Sequence, residues 1–154
     1  MNKGGHRMRD RFGAFVTGIT ACYKYIQRIK AMEMTEYGLK GTHVMCLFFL
    51  DSNPEGLTAA RLCQLCGEDK AAISRALAEL EKREYLHIRS VCGKKYRAPI
   101  VLTPAGKEIA RQMNGQITQW VSIGGDGLTP EQRADFYRSL ELIAHNLKEQ
   151  VEGD

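Results

Sequence analysis

Between Leu57 and Ile88 the chain reads LTAARLCQLCGEDKAAISRALAELEKREYLHI, two segments with helical apolar spacing separated by a turn around Gly67. In the second segment Ile73, Ala76, Leu77 and Leu80 fall at i, i+3, i+4 and i+7, one stripe of a 3.6-residue helix, whereas Lys70, Ala71, Ser74, Arg75 and Lys82 fall off it. The spacing therefore predicts a helix with one face for the core and one for a partner. Asp69 stands at the N-cap, where its carboxylate accepts from first-turn N–H groups and complements the positive end of the helix dipole. On the outer face Ala71, Ala72 and Ser74 are small enough to allow close approach to another surface. Arg75 adds a fork of donors suited to guanine O6 and N7 or to phosphate. These features together fit a helix that enters a DNA groove.

The flanking segments surround this hairpin with helices. Residues 1–8 are polar with paired glycines and read as a frayed tail. From Asp10 to Met32, Phe12, Phe15, Val16, Ile19, Tyr23, Ile26 and Ile29 recur every three or four residues, giving a long amphipathic helix. Gly38 and Gly41 interrupt it, and Thr42 to Leu50 is so apolar that it predicts a helix buried on most sides. The turn formers from Asp51 to Gly56 end that helix and deliver the chain to Thr58 as the next cap. After the central hairpin, alternation over Tyr85–Arg89 and the β-rich run Ala98–Leu102 predict two strands joined by a basic tip. Thr103-Pro104 then opens a helix striped by Ile109, Met113, Ile117 and Trp120. Gly124–Gly127 breaks it, and Thr129-Pro130-Glu131-Gln132 is a capping box starting a last helix striped by Phe136, Leu140, Ile143 and Leu147. The expected order is α-α-α-α-β-β-α-α, mainly helical with a small β-hairpin. The stripes of the terminal helices exceed what one small module can cover, which predicts packing against a second copy.

In order and spacing, Leu57-Thr58, Leu62, Gly67, Asp69-Lys70, Ile73-Ser74-Arg75, Leu77, Leu80-Glu81 and Tyr85-Leu86 resemble the helix-turn-helix of the MarR family of winged-helix transcriptional regulators. The likeness is strongest from Leu39 to Gly106. It implies a winged helix-turn-helix fold and a homodimer on a pseudo-palindromic double-stranded DNA operator. It further implies a repressor, released or modulated by a small phenolic or lipophilic effector or by oxidation. On this reading residues 1–154 form a single domain in which 39–102 is the winged-helix DNA-binding module, and 10–36 and 103–150 are dimerisation helices. The DNA-binding residues expected are Thr58, Asp69, Lys70, Ala71, Ser74 and Arg75, with Lys94, Lys95 and Arg97 of the wing on the backbone. The wing departs from the Asp-x-Arg pattern of many members, carrying Gly93-Lys94-Lys95-Tyr96-Arg97 in a shorter loop, and Glu84 replaces the usual glycine. By the same resemblance an effector would lodge near Tyr23, Tyr37, His43 and Met45.

Composition bounds the alternatives. The chain has 154 residues and 44% hydrophobic content, enough for one ordinary core, and 22 Lys plus Arg against 18 Asp plus Glu give a charge of +4 that suits a nucleic-acid binder. There is no run long enough for a signal peptide or a membrane span, so the expectation is a cytoplasmic protein without a membrane partner. Five cysteines without a secretion signal argue for free thiols. Cys63-Gln64-Leu65-Cys66, with His87 and Cys92 downstream, superficially offers soft zinc ligands. Both thiols of that motif are expected on the core side of their helix, where cysteine behaves as a small hydrophobe. Cys92, on the wing, is the cysteine expected to react. No phosphate loop, nucleophile elbow or convincing metal motif is present, so neither enzyme activity nor a cofactor is expected. Two competing readings remain: a thiol- or metal-responsive DNA-binding sensor, and a winged-helix module that binds protein.

Overall fold

The computed structural model describes residues 3–34, 37–89 and 98–153, with side chains described for 10–32, 37–89 and 98–153. Among the described residues six helices and two strands follow the expected order: α1 Lys3–Met34, α2 Gly41–Asp51, α3 Ala59–Cys66, α4 Lys70–Lys82, β1 Leu86–Ile88, β2 Ile100–Leu102, α5 Pro104–Gly124 and α6 Pro130–Glu152. One expectation is corrected at the start, where α1 begins at Lys3 instead of leaving a frayed tail through residue 8. Once a helix is nucleated each added residue brings one hydrogen bond, and a glycine subtracts only about 1 kcal/mol, too little to stop a helix this long.

The core is centred on α2. Cys46, Leu47 and Leu50 of α2 are buried with Leu62 of α3, Ile73, Ala76, Leu77 and Leu80 of α4, and Leu86, Ile100, Val101 and Leu102 of the hairpin. α2 packs against α1, α3, α4 and β2, which is why its sequence is apolar nearly all round. The strands pair antiparallel with Leu86 opposite Leu102 and Ile88 opposite Ile100. Leu57 adds a further rung: its N–H donates to the Ile100 carbonyl at 3.1 Å and its carbonyl accepts from Ile100 N–H at 2.9 Å. The hairpin is thereby tied to the residue that introduces α3.

The seam between α4, β1 and α5 is tightly specified. α4 ends with the two crossed hydrogen bonds of a Schellman turn, Tyr85 N–H to the Leu80 carbonyl at 3.0 Å and Glu84 N–H to the Glu81 carbonyl at 2.9 Å. The left-handed position is filled by Glu84, with φ 60°, where glycine is the unstrained choice. Thr103 caps α5 by accepting from Gly106 N–H at 3.1 Å, while its hydroxyl donates to the Glu84 carbonyl at 2.6 Å. A side chain at Gly106 would overlap the Tyr85 carbonyl, so only glycine lets α5 approach the start of β1 this closely.

The backbone divides into two compact units, with the division between Gly115 and Gln116. In the first, α5 buries Gly106, Ala110 and Met113. In the second, α6 opens with the expected capping box, Thr129 Oγ1 accepting from Gln132 N–H at 3.2 Å and Gln132 Oε1 from Thr129 N–H at 2.9 Å. α6 buries none of its residues. Among the described residues no helix is long and apolar enough to cross a membrane.

Candidate nucleic-acid interface

α3 and α4 form a helix-turn-helix in which both starts and the intervening turn are fixed by local chemistry. Thr58 Oγ1 accepts from Arg61 N–H at 3.2 Å and Asp69 Oδ1 from Ala72 N–H at 2.7 Å, so both side chains serve as N-caps. Between the helices Gly67 takes the left-handed conformation, φ 65°, and Glu68 N–H returns to the Cys63 carbonyl at 3.2 Å. Two of the expected DNA contacts, Thr58 and Asp69, thus have a structural duty that sets where the two helices start.

With Ile73, Ala76, Leu77 and Leu80 buried, α4 exposes Lys70, Ala71, Ser74 and Arg75 on its N-terminal half. Lys70 and Ser74, and likewise Ala71 and Arg75, lie four residues apart and form adjacent rows on one helix surface. Ala78, also exposed, continues this row and was not expected. Arg61 and Gln64 on α3 are exposed and joined by a 3.1 Å hydrogen bond, adding a cation and an amide that the sequence reading passed over. At the base of the wing Arg89 is exposed, with its N–H donated to the Pro99 carbonyl at 2.8 Å. Lys94, Lys95, Arg97 and Cys92 lie outside the described residues.

The expected effector residues fall in varied surroundings. Tyr23 is exposed on α1, and Tyr37 and Met45 are half-buried. His43 is buried and acts as a cap, its Nδ1 accepting from Lys40 N–H at 2.8 Å. Burial lowers the His43 pKa from its ordinary 6.5, opposed by Glu79 and aided by Arg83 and Lys40.

Arg83 ties this neighbourhood to the end of α4. Its Nε donates to Glu79 at 2.9 Å, and its two terminal nitrogens donate to the carbonyls of Tyr37 and Gly38 at 3.1 and 3.0 Å. The guanidinium also holds the Glu79 carboxyl below its ordinary pKa. The i, i+4 spacing of Glu79 and Arg83 was readable as a pair; the reach to the α1–α2 turn was not. A second unforeseen link joins α2 to α5, Asn114 Nδ2 donating to Asp51 Oδ2 at 2.7 Å.

A capped helix pair, an exposed row of small and cationic residues on the second helix, and an antiparallel hairpin behind it define a winged helix-turn-helix protein. Residues 37–94 match the model of the MarR family, so this winged-helix segment is similar to that family. Solved structures agree on the fold. A MarR-family transcriptional regulator from Silicibacter pomeroyi is 21% identical, with a TM-score of 0.76 over 83% of this chain and 86% of that one. The transcriptional regulator SlyA is 19% identical, with a TM-score of 0.78 over 90% of this chain and 96% of its own. S. aureus MepR, solved as a complex with DNA, is 13% identical, with a TM-score of 0.73 over 86% and 97% of the two chains. A sequence search of curated proteins finds no match. At these identities the structural likeness is one of fold; the functional reading rests on the chain's own residues.

Proposed function

We propose that the protein is a sequence-specific DNA-binding transcriptional regulator, acting as a homodimeric repressor on a pseudo-palindromic operator. The observation that carries this reading is the exposed row Lys70, Ala71, Ser74 and Arg75 on the second helix of a capped helix-turn-helix. Small residues let the helix enter a major groove, Arg75 reads base edges and Lys70 engages phosphate. MepR, of the same fold, was solved with DNA, which supports the same use of the fold here. In this reading 39–102 is the DNA-binding module of a single domain. Segments 10–36 and 103–150 supply dimerisation helices, and Lys94, Lys95 and Arg97 hold the backbone beside the groove.

Selection of bound sequences from a random DNA pool, followed by titration of the winning site, tests the reading. Arg75→Ala should cost about 1 to 3 kcal/mol of specific affinity per half-site without unfolding the protein. Lys94→Ala with Lys95→Ala should lower the slope of log K against log salt by roughly 3.6 per dimer, if each lysine neutralises one phosphate. Failure to select any site would overturn the assignment.

The finer proposal is release by a lipophilic or phenolic acid lodged near Tyr23, Tyr37, His43 and Met45. Arg83, bonded to the Tyr37 carbonyl and to α4, supports it by joining that neighbourhood to the reading helix. Linkage requires such a ligand and DNA to weaken one another by the same factor. Titrations of Trp120 fluorescence with phenolic and fatty acids, with and without DNA, measure that factor.

A further inference from the structure

Three N–H donors of one guanidinium bridge the end of α4 to the turn before α2. Arg83 Nε donates to Glu79 Oε1, one helical turn back, at 2.9 Å, while its terminal nitrogens donate to the consecutive carbonyls of Tyr37 and Gly38 at 3.1 and 3.0 Å. The turn fits the fork closely. Gly38 is left-handed, with φ 60°, and a Cβ there would meet the two terminal nitrogens at 3.8 and 3.9 Å. We propose that this clasp is the positioning device of the reading helix: Arg83 fixes the tilt and roll of α4, without itself touching DNA, so that Arg75 meets base edges in register. The proposal rests on the DNA-binding function proposed above.

The need for such a device follows from what else holds α4. Its stripe of Ile73, Ala76, Leu77 and Leu80 is buried, but apolar burial is non-directional and fixes which face is covered better than it fixes an angle. At its N-terminal end α4 enters from the turn at Gly67, where a Cβ would meet nothing within 4 Å. Hydrogen bonds weaken steeply with angle, so three of them from one rigid, planar fork to acceptors on two elements define an orientation. The anchor they reach is itself firm. Leu39 is buried, Lys40 N–H donates to His43 Nδ1 at 2.8 Å, and the Lys40 carbonyl accepts from His43 N–H at 2.9 Å.

The distance from clasp to reading residue sets the size of the effect. Arg75 lies eight residues before Arg83. At 1.5 Å per residue that is about 12 Å along the axis, and a tilt of about 10° at the clasp would move Arg75 by roughly 2 Å. A bidentate contact to guanine does not survive such a shift, whereas Lys70, a point charge on a flexible stem, still finds a phosphate. Loss of the clasp should therefore erode base reading and spare the phosphate-borne, non-specific part of binding.

The test compares the full-length chain with Arg83→Met, which keeps the stem and removes the donors, and Arg83→Lys, which keeps the charge but not the fork. Glu79→Gln, which retains an oxygen for Nε, is the control. Gly38 is exposed, so water can replace the donor its carbonyl loses and the variants should fold. Melting curves fix the folded fraction, and affinities are compared at equal concentrations of folded protein. On a site selected from a random DNA pool, Arg83→Met and Arg83→Lys should each bind about tenfold more weakly. Their affinity for unrelated DNA, and the slope of log K against log salt, should match those of the parent. Glu79→Gln should stay within about twofold of the parent on both kinds of DNA. Full affinity in Arg83→Met, or full rescue by Arg83→Lys, overturns the proposal. Equal losses on selected and unrelated DNA would make the clasp a stabilising contact only, and a slope lowered by roughly 1.8 per dimer would make Arg83 a phosphate contact; either result overturns it too. A parent chain that selects no site refutes the functional reading instead, and the clasp then positions nothing.

Discussion

The winged-helix module and the terminal helices satisfy their apolar residues in opposite ways. In the module Cys46, Leu47, Leu62 and Leu80 are all at 0% exposure, each covered by its own chain. On α1 Phe12 is 69% exposed, and on α6 Val151 is 80% exposed with Leu142, Ile143 and Leu147 also open. Yet α6 starts with a complete capping box and carries a regular apolar stripe, so its helical signal is no weaker than that of α4. Capping and periodicity define where a helix runs; they do not state which chain covers it. The module covers its apolar residues in one copy, whereas the stripes of α1 and α6 stay open on the single chain, which supports the proposed homodimer.

The sharpest way to break the first half of that comparison is Gly106→Ala. A Cβ there would overlap the Tyr85 carbonyl, which is also held by the Thr103 N–H at 3.0 Å, so the seam must open. The expected cost is about 4 kcal/mol, read as a shift in urea midpoint. Gly115→Ala, in the same helix with nothing within 4 Å of its Cβ, should instead gain about 0.5 to 1 kcal/mol. Equal stability of the two variants would mean that the close approach of α5 does not anchor the module.

The second half is broken by charge on α6. Ile143→Asp and Leu147→Asp replace exposed side chains, so the single chain should keep its helix content. In a dimer that buries them each should cost about 2 kcal/mol of association, giving monomers by sedimentation equilibrium and weakened operator binding. A charged double variant that remains a tight dimer would place the interface elsewhere.

Much of the module was legible because its signals are local. Thr58, Asp69, Thr103 and Thr129 were readable as caps, and each accepts the expected first-turn N–H. The stripe Ile73, Ala76, Leu77 and Leu80 is the buried face of α4. What escaped is long-range and small. The single rung at Leu57 has no periodicity to betray it, and the reach of Arg83 to the Tyr37 and Gly38 carbonyls depends on how a turn folds back.

A smaller effect sharpens the account of how α4 ends. Glu84 occupies the left-handed position of a fully hydrogen-bonded Schellman turn at a steric cost that glycine avoids. Glu84→Gly should therefore stabilise the protein by about 1 kcal/mol, less the extra chain entropy of glycine when unfolded. Calorimetry that found a lower melting temperature would mean that the Glu84 side chain makes a compensating interaction.

The smallest effect is the pH dependence contributed by His43. Burial, which outweighs Glu79 and is aided by Arg83 and Lys40, depresses its folded pKa below 6.5, and the Lys40 N–H needs an unprotonated Nδ1 as acceptor. As pH falls through 6.5 the unfolded chain therefore takes up a proton that the folded chain refuses. The stabilising contribution is complete above 6.5 and is lost progressively as pH falls toward the folded value. The window is best read from about pH 7.5 down to 5, above the ordinary value of the carboxylates that Arg83 and Arg111 hold down, Glu79 and Glu108. His43→Gln supplies an amide oxygen for the same cap and cannot titrate, so chemical denaturation of this variant should show a flatter dependence of stability on pH than the parent chain. Parallel curves would mean that His43 is protonated equally in the folded and unfolded chains, and that its cap survives the charge.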